Sequence, residues 1–319
     1  MTAPKPLLTY REFVNYEVSL PVAQAICSKA GFPQPTSIRR LKRGEVNAIF
    51  LLELPGGELA VLKIWIRCSD DEQMRREERV VRFVQRECAV PTPDWIYVSS
   101  GDSNLTYPHA LIEFASGVDG DRLWSEIGFK DKEKILTQCA SQMHDLHSIP
   151  VGPDTAAIFG DPMSGSEWRE SEENIFQRAI AILRKQGWLG KDTLDRCTDL
   201  WTDHADSLGT AEVDAIVHHD FQLQNFRVDP ATLNLTAVLD FGNAAFAPGF
   251  TDSRDLNLSV FLDTPELAEC FWRTYGILSA EQERVLKLHS LARVLNILAA
   301  YQGPTPGGWD RTTVLKLLE

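Results

Sequence analysis

Asp220, Asn225 and Asp240 stand five and fifteen residues apart, each beside a strand-like apolar run. Ile216-Val217 precede Asp220, Phe226-Arg227-Val228 follow Asn225, and Ala237-Val238-Leu239 lead into Asp240. Each polar residue is thus expected on a loop held rigid by buried strand. Phosphoryl transfer from a nucleotide needs these residue types: one carboxylate to face an acceptor hydroxyl, and oxygen ligands to hold Mg²⁺ on the phosphates. Asp220 is the candidate for the first task, Asn225 and Asp240 for the second. An isolated Asp or Asn often does no more than close a turn. Three at this spacing carry the signal that one does not.

A second group lies upstream. In Leu59-Ala60-Val61-Leu62-Lys63-Ile64-Trp65-Ile66, a lysine interrupts an otherwise apolar strand. A buried ammonium costs several kcal/mol unless it meets an anion. The following helical stretch offers one, because Glu77 falls on the same face as Met74, Val81, Val84 and Cys88. Lys63 at a sheet edge, reaching water, and Glu77 as a solvated boundary residue are the alternatives. Val61, two residues before Lys63 and on its strand face, is placed to floor a purine pocket.

The elements that must position these groups divide the chain in two. Residues 37–42, 46–54 and 58–66 read as strands, separated by Arg43-Gly44-Glu45 and Pro55-Gly56-Gly57. A helix follows to about Cys88, capped by Ser69 or Asp70 and stopped by Pro91 and Pro93. Residues 95–99 and 109–114 complete a small sheet. Beyond Ala115-Ser116-Gly117 the pattern becomes helical, with helices expected at 130–147, 171–184, 194–208, 265–275, 280–301 and 312–318. Short strands are expected at 226–228 and 235–240. The reading is α+β: a β-rich part over 1–115 with one key helix, and a larger, mostly helical part over 116–319.

Composition narrows the classes. The chain has 319 residues, 44% hydrophobic and 24% charged, which is ordinary globular composition. With 45 acidic and 32 basic residues the net charge is −13, which argues against a dedicated nucleic-acid binder. The six cysteines form no CxxC pair and fit reduced thiols. No signal peptide and no apolar run of about 20 residues is visible, so a soluble cytoplasmic protein without a membrane partner is expected.

Together these residues resemble the aminoglycoside phosphotransferase and choline kinase family, a branch of the protein-kinase-like fold. His218-x-Asp220-x4-Asn225 matches its catalytic loop and Leu239-Asp240-Phe241 its metal-binding motif. Lys63 and Glu77 match the ion pair of its small lobe, and Met143 to Pro150 its leucine-histidine helix end. Asp252 and Arg254-Asp255-Leu256 stand where members carry an aspartate-leucine pair. The resemblance implies a two-lobed protein-kinase-like fold. It further implies that Asp220 orients or deprotonates the acceptor hydroxyl, that Asn225 and Asp240 hold Mg²⁺, and that Lys63, positioned by Glu77, contacts the phosphates of ATP or GTP. Glu113, Phe114 and Ala115 would form the hinge that reads the purine. Two positions depart from the pattern: His219 replaces a glycine, and Gln222-Leu223-Gln224 replaces His-Pro-Gly.

The expected activity is Mg²⁺-dependent O-phosphorylation of an antibiotic hydroxyl, on an aminoglycoside, aminocyclitol or related natural product. Gln222, Asp255 and Glu266 are the acceptor-side candidates. Glu170, Glu172, Glu173, Asp252, Asp263 and Glu269 are further acids that would suit a cationic acceptor. A kinase of an amino alcohol or similar metabolite, and a pseudokinase that binds nucleotide without catalysis, are the alternatives. A protein kinase is disfavoured by the single glycine at Gly44 and the absence of an Ala-Pro-Glu segment after Gly242. Monomer and homodimer both remain open. Gly187 to Asp192 lacks the spacing of a phosphate loop and reads as a helix end, and His144 with His147 reads as core rather than a metal pair.

Overall fold

The computed structural model describes residues 13, 15–41, 47–67, 71–305 and 308–319. The Gly44 turn, Cys68 and the cap at Ser69 or Asp70 lie outside the described residues. The chain forms two compact units, one built on a sheet and one largely helical. The first comprises residues 1–86, 91–117 and 236–242, the second residues 87–90, 118–235 and 243–319. The sequence suggested one cut between 115 and 116, but a late segment returns to the first unit. Val238 donates its N–H to the Pro91 carbonyl at 2.8 Å, and Thr236 Oγ1 donates to the Ser116 carbonyl at 2.7 Å.

The first unit contains a five-stranded antiparallel sheet of β1 (Ser37–Leu41), β2 (Ala48–Glu53), β3 (Leu59–Ile64), β4 (Trp95–Ser99) and β5 (His109–Glu113). Its spatial order is β1-β2-β3-β5-β4, which places β3, and with it Lys63, in the centre. The turn between β2 and β3 needs φ of +88° at Gly56 and +86° at Gly57, a conformation glycine adopts without strain. The helix Glu72–Glu87 buries Met74, Glu77, Val80, Val81, Phe83 and Val84, the face its periodicity predicts, while Cys88 beyond its end is only half-buried. A helix the sequence reading omitted, Leu20–Lys29, buries Ala23, Ile26 and Cys27 in one cluster with Phe50, Leu62 and Leu111 of the sheet.

In the second unit the helix Phe129–His147 appears where the 3.6-residue period places it. The helix expected from 171 begins earlier and spans Gly165–Gln186, because Ser164 caps it. Ser164 Oγ accepts from the Glu167 N–H, while the Glu167 carboxylate accepts from the Ser164 N–H at 2.7 Å. Gly187, left-handed at φ +76°, ends it, so the Gly187 to Lys191 stretch is a helix stop followed by a new start. The single helix expected over 194–208 is two, Lys191–His204 and Asp206–Thr210. Phe176 stacks on Trp201 with centroids 4.1 Å apart, joining two of these helices in the core. The helices Pro265–Tyr275, Ala280–Tyr301 and Arg311–Leu317 close the chain. Among the described residues no helix is long and apolar enough to cross a membrane.

Short elements set the loops that matter. Ala215–Val217 pairs antiparallel with Ala245–Ala247, and Val118–Asp119 pairs with Phe226–Val228. The first pair was not anticipated, since three residues carry no readable period. The short helix Gly120–Trp124 lies against the 3₁₀ turn Leu223–Asn225 so closely that a Cβ on Gly120 would stand 2.6 Å from the Leu223 carbonyl oxygen. Gly120→Ala is therefore expected to cost about 1–3 kcal/mol. Thermal unfolding followed by circular dichroism would show a midpoint several degrees below wild type. An unchanged midpoint would mean that the turn yields freely.

Candidate active site

The lysine in β3 is paired as its burial demands. Lys63 Nζ donates to both Glu77 carboxylate oxygens at 2.8 and 2.9 Å, and to Asp240 Oδ1 at 2.9 Å. It also lies 5.0 Å from the Trp65 ring centroid. All four residues belong to the first unit. Burial alone would lower the Lys63 pKa, but Asp240 and Glu77 outweigh it and raise the value, so the ammonium persists. Burial pushes the Glu77 carboxyl up to about 7, against the pull of Lys63 and with Asp240 adding like-charge repulsion. Asp240 is held in the left-handed region at φ +67°, and Arg76 Nη1 bonds the Gly242 carbonyl at 2.8 Å just beyond it. Its side chain stays 48% exposed, so the carboxylate is presented to solvent as well as to Lys63.

The rest of the first-unit candidates lie around the same strand pair. Val61 is half-buried on β3 opposite Ile112 of β5. Glu113 ends β5 with its side chain exposed, and its N–H donates to the Asp94 carbonyl at 2.8 Å. Phe114 and Ala115 follow, both half-buried.

In the second unit, Asp220 sits in a tight polar turn after the strand Ala215–Val217. Asp220 Oδ1 accepts from Gln222 Nε2 at 2.6 Å, and Oδ2 accepts from Asn225 Nδ2 at 2.8 Å. Asn225 Nδ2 also donates to the Asp220 carbonyl at 2.8 Å, so the amide nitrogen faces Asp220 and the amide oxygen remains for another partner. Burial first, then the neighbouring Asp255 carboxylate, raises the Asp220 pKa against the opposing effects of His218, Arg293 and Asn225. The sequence-derived group of Asp220, Gln222 and Asn225 is thus one hydrogen-bonded cluster.

What holds that turn was only partly legible. Asp252 is 2% exposed, and its Oδ2 and Oδ1 accept the backbone N–H groups of His218 and His219, each at 2.7 Å. His147 Nε2 lies 3.2 Å from Asp252 Oδ2, and His147 Nδ1 lies 2.9 Å from the Tyr275 hydroxyl. His147 is therefore a hydrogen-bonding core residue. His219, where the resemblance would place glycine, takes φ +63°. Its carbonyl accepts from Arg254 Nη2 at 2.5 Å. Arg254 Nη1 in turn lies 2.9 Å from His289 Nε2, and His289 Nδ1 lies 2.8 Å from Glu172 Oε2. A guanidinium has no acceptor, so His289 Nε2 accepts and its Nδ1–H donates to Glu172, which makes the imidazole neutral. Arg293 completes the group, with Nε 3.2 Å from Asp255 Oδ1 and Nη2 3.4 Å from Asp220 Oδ1.

The other two acceptor-side candidates differ in exposure. Asp255 is 1% exposed and turned inward to Arg293, because a buried carboxylate must find a cation. Glu266 stands exposed in the first turn of the helix Pro265–Tyr275, with no hydrogen bond or ion pair among the described residues. Glu172 and Asp252 are likewise committed inside. Among the described residues no cluster of three or more His, Cys, Asp or Glu side chains could hold a metal by itself. Asn225 and Asp240 nonetheless fit Mg²⁺ in donor type, since that ion commonly takes one or two protein oxygens and completes its shell with phosphate and water.

A sequence model of the APH phosphotransferase enzyme family matches residues 37–286. The chain belongs to this family. It is a phosphotransferase with an alcohol group as acceptor. Among solved structures, APH(2″)-IIIa in its GDP and kanamycin complex is 16% identical with a TM-score of 0.68, covering 88% of this chain and 91% of that one. The streptomycin–ATP ternary complex of APH(2″)-IIa is 17% identical with a TM-score of 0.62, covering 95% of each chain. APH(4)-Ia with ADP and hygromycin B is 18% identical with a TM-score of 0.61, covering 93% of this chain and 97% of that one. At these identities the likeness is one of fold. No curated protein matches the chain.

In this phosphotransferase, the Asp252 grip on the turn at His218 to Asp220 makes a pH-dependent contribution. Burial would raise the Asp252 carboxyl, but the hydrogen bond and charge of His147, then the charge and amide of His218, outweigh it and hold it at about 2. A depressed carboxyl stabilises the fold above its ordinary value near 4 and loses that contribution as pH falls toward the folded value. Asp252→Asn is expected to lower stability by about 2–3 kcal/mol at pH 7, with the gap to wild type narrowing below about pH 4. Urea unfolding at pH 7, 5 and 3 would measure it. A gap that stays constant to pH 3 would refute the account.

Proposed function

We propose that this phosphotransferase moves the γ-phosphoryl group of ATP or GTP to a hydroxyl of a small-molecule antibiotic or related natural product. The observation that carries the reading is the Lys63 ammonium held between Glu77 and Asp240, a cation poised for phosphate oxygens beside an exposed carboxylate. Lys63 would bind the phosphates, with Glu77 fixing its direction. The backbone of Glu113 to Ala115 would meet the purine, and Val61 would pack under it. Asp240 and the Asn225 amide oxygen would hold Mg²⁺, which supplies charge neutralisation on the phosphates when bound.

Asp220 would orient the acceptor hydroxyl and take its proton as the new phosphate ester forms. Its raised pKa suits a group that must accept a proton in the reaction. Gln222, which already donates to Asp220, would lie at the acceptor side. The related folds bind kanamycin, streptomycin and hygromycin B, which motivates aminoglycosides as the first acceptors to try. A primary metabolite such as an amino alcohol is a second reading. It is favoured by the commitment of Glu172, Asp252 and Asp255 to internal partners, which removes three acids from those available to a polycation. A pseudokinase would bind nucleotide and show no Mg²⁺-dependent turnover.

The test is a mass-shift screen with Mg²⁺ and an ATP/GTP mixture against aminoglycosides, aminocyclitols, nucleoside and peptide antibiotics and amino alcohols. A true acceptor gains about 80 Da, the mass of one phosphoryl group. Asp220→Ala should abolish the gain while leaving nucleotide affinity within about twofold. Asp240→Ala should weaken Mg²⁺-dependent nucleotide binding by tenfold or more, measured by calorimetry with and without the metal. Normal product formation by Asp220→Ala would overturn its assignment.

A further inference from the structure

We propose that Arg293 is a positioning residue of the transfer site: anchored by Asp255, it clamps one oxygen of the Asp220 carboxylate and leaves the other for the acceptor hydroxyl. The inference rests on the reading of Asp220 as the group that meets the acceptor. Its basis is the distribution of donors around that carboxylate. Oδ1 receives two donors, Gln222 Nε2 at 2.6 Å and Arg293 Nη2 at 3.4 Å. Among the described residues Oδ2 receives only the Asn225 amide, at 2.8 Å, so one direction on Oδ2 remains for a hydroxyl proton.

Arg293 is itself fixed. It projects from the long helix Ala280–Tyr301, and its Nε donates to Asp255 Oδ1 at 3.2 Å. Asp255 is 1% exposed and lies in the helical turn Arg254–Leu256, so the anchor has no freedom to follow solvent. A guanidinium is a rigid plane. Once Nε is pinned to Asp255, the direction of Nη2 toward Asp220 is set. A lysine would supply the charge without the plane. The guanidinium also stands between two carboxylates, Asp220 and Asp255, whose mutual repulsion would otherwise drive Asp220 off this orientation.

The arrangement has a purely structural competitor, an ion pair that only ties the helix to the turn. The two differ in what they do to turnover. Displacing a reacting group by about 1 Å costs on the order of a hundredfold in rate, with little effect on ligands bound elsewhere. The experiment compares wild type, Arg293→Gln, Arg293→Lys, Asp255→Asn and the Arg293→Gln/Asp255→Asn double variant. Crystal structures would locate the Asp220 carboxylate. Phosphate transfer from Mg·ATP and Mg·GTP to kanamycin and to water would give kcat and the nucleotide KM.

Arg293→Gln is expected to rotate Asp220 and to lower kcat roughly ten- to hundredfold, with the nucleotide KM within twofold. Arg293→Lys should recover part of the loss. Asp255→Asn should act in the same direction, and the double variant should be no worse than Arg293→Gln, because both break one chain of contacts. An unmoved Asp220, a kcat within threefold of wild type, or a kcat loss matched by a rise in nucleotide KM and a fall in melting temperature would overturn the clamp. Where wild-type protein transfers phosphate to neither water nor kanamycin, the acceptor that the mass-shift screen identifies replaces kanamycin in the kinetic comparison. The crystallographic comparison would still decide whether Arg293 holds its orientation.

Discussion

A charge removed from water has to be answered by another charge, and this requirement organises both units. In the first, one ammonium at the centre of a five-stranded sheet is answered by two carboxylates, one from a helix and one from a segment 177 residues away. The sheet could bury Leu62 and Ile64 with any apolar residue between them. A lysine there requires an anion beside it, and the same pairing fixes which way the helix face carrying Glu77 must turn. Fold and site are specified by one interaction.

The second unit repeats the logic around the turn that carries Asp220, with the backbone as one of the partners. Three of the four residues from Asp252 to Asp255 address successive features of that turn. Asp252 takes the amides of His218 and His219, Arg254 takes the carbonyl of His219, and Asp255 reaches the Asp220 side chain through Arg293. The left-handed conformation of His219 is sustained by this double grip, since a non-glycine residue there is held only where its surroundings determine it. The line from Arg254 through neutral His289 to Glu172 extends the support into the helical core. Each member satisfies its neighbour, which makes a buried polar network tolerable.

Much of this was readable in the sequence, for identifiable reasons. Lys63 and Glu77 were legible because each interrupts an apolar pattern whose period is known. Asp220, Asn225 and Asp240 were legible by spacing, and their family resemblance is supported by the match over residues 37–286. The sheet strands and the helices 129–147, 265–275 and 280–301 follow from periodicity and proline stops. The helix Leu20–Lys29 was missed because its sequence has little contrast between faces. His289 and Arg293 were missed although both sit, four residues apart, on a helix otherwise lined with buried Leu286, Leu288, Leu291, Ala292, Val294 and Leu295. That is the same signal that singled out Glu77, but it lay far from any motif. Asp255 was assigned to the acceptor because a sequence cannot show which carboxylates already have a cation.

The discontinuity of the first unit has a consequence for how the protein is made. Its sheet is complete once β5 has emerged, yet Thr236–Gly242 and the Asp240 partner of Lys63 are still to come. At roughly 5–20 residues per second, the interval over the 127 residues from Glu113 to Asp240 is about six to twenty-five seconds. During that time Glu77 is the sole carboxylate of the pair available to the buried ammonium, and the Pro91 and Ser116 carbonyls lack the donors that the late segment brings. The nascent first unit is therefore an incomplete structure for much of its synthesis, and the segment that carries Asp240 is also the one that finishes it.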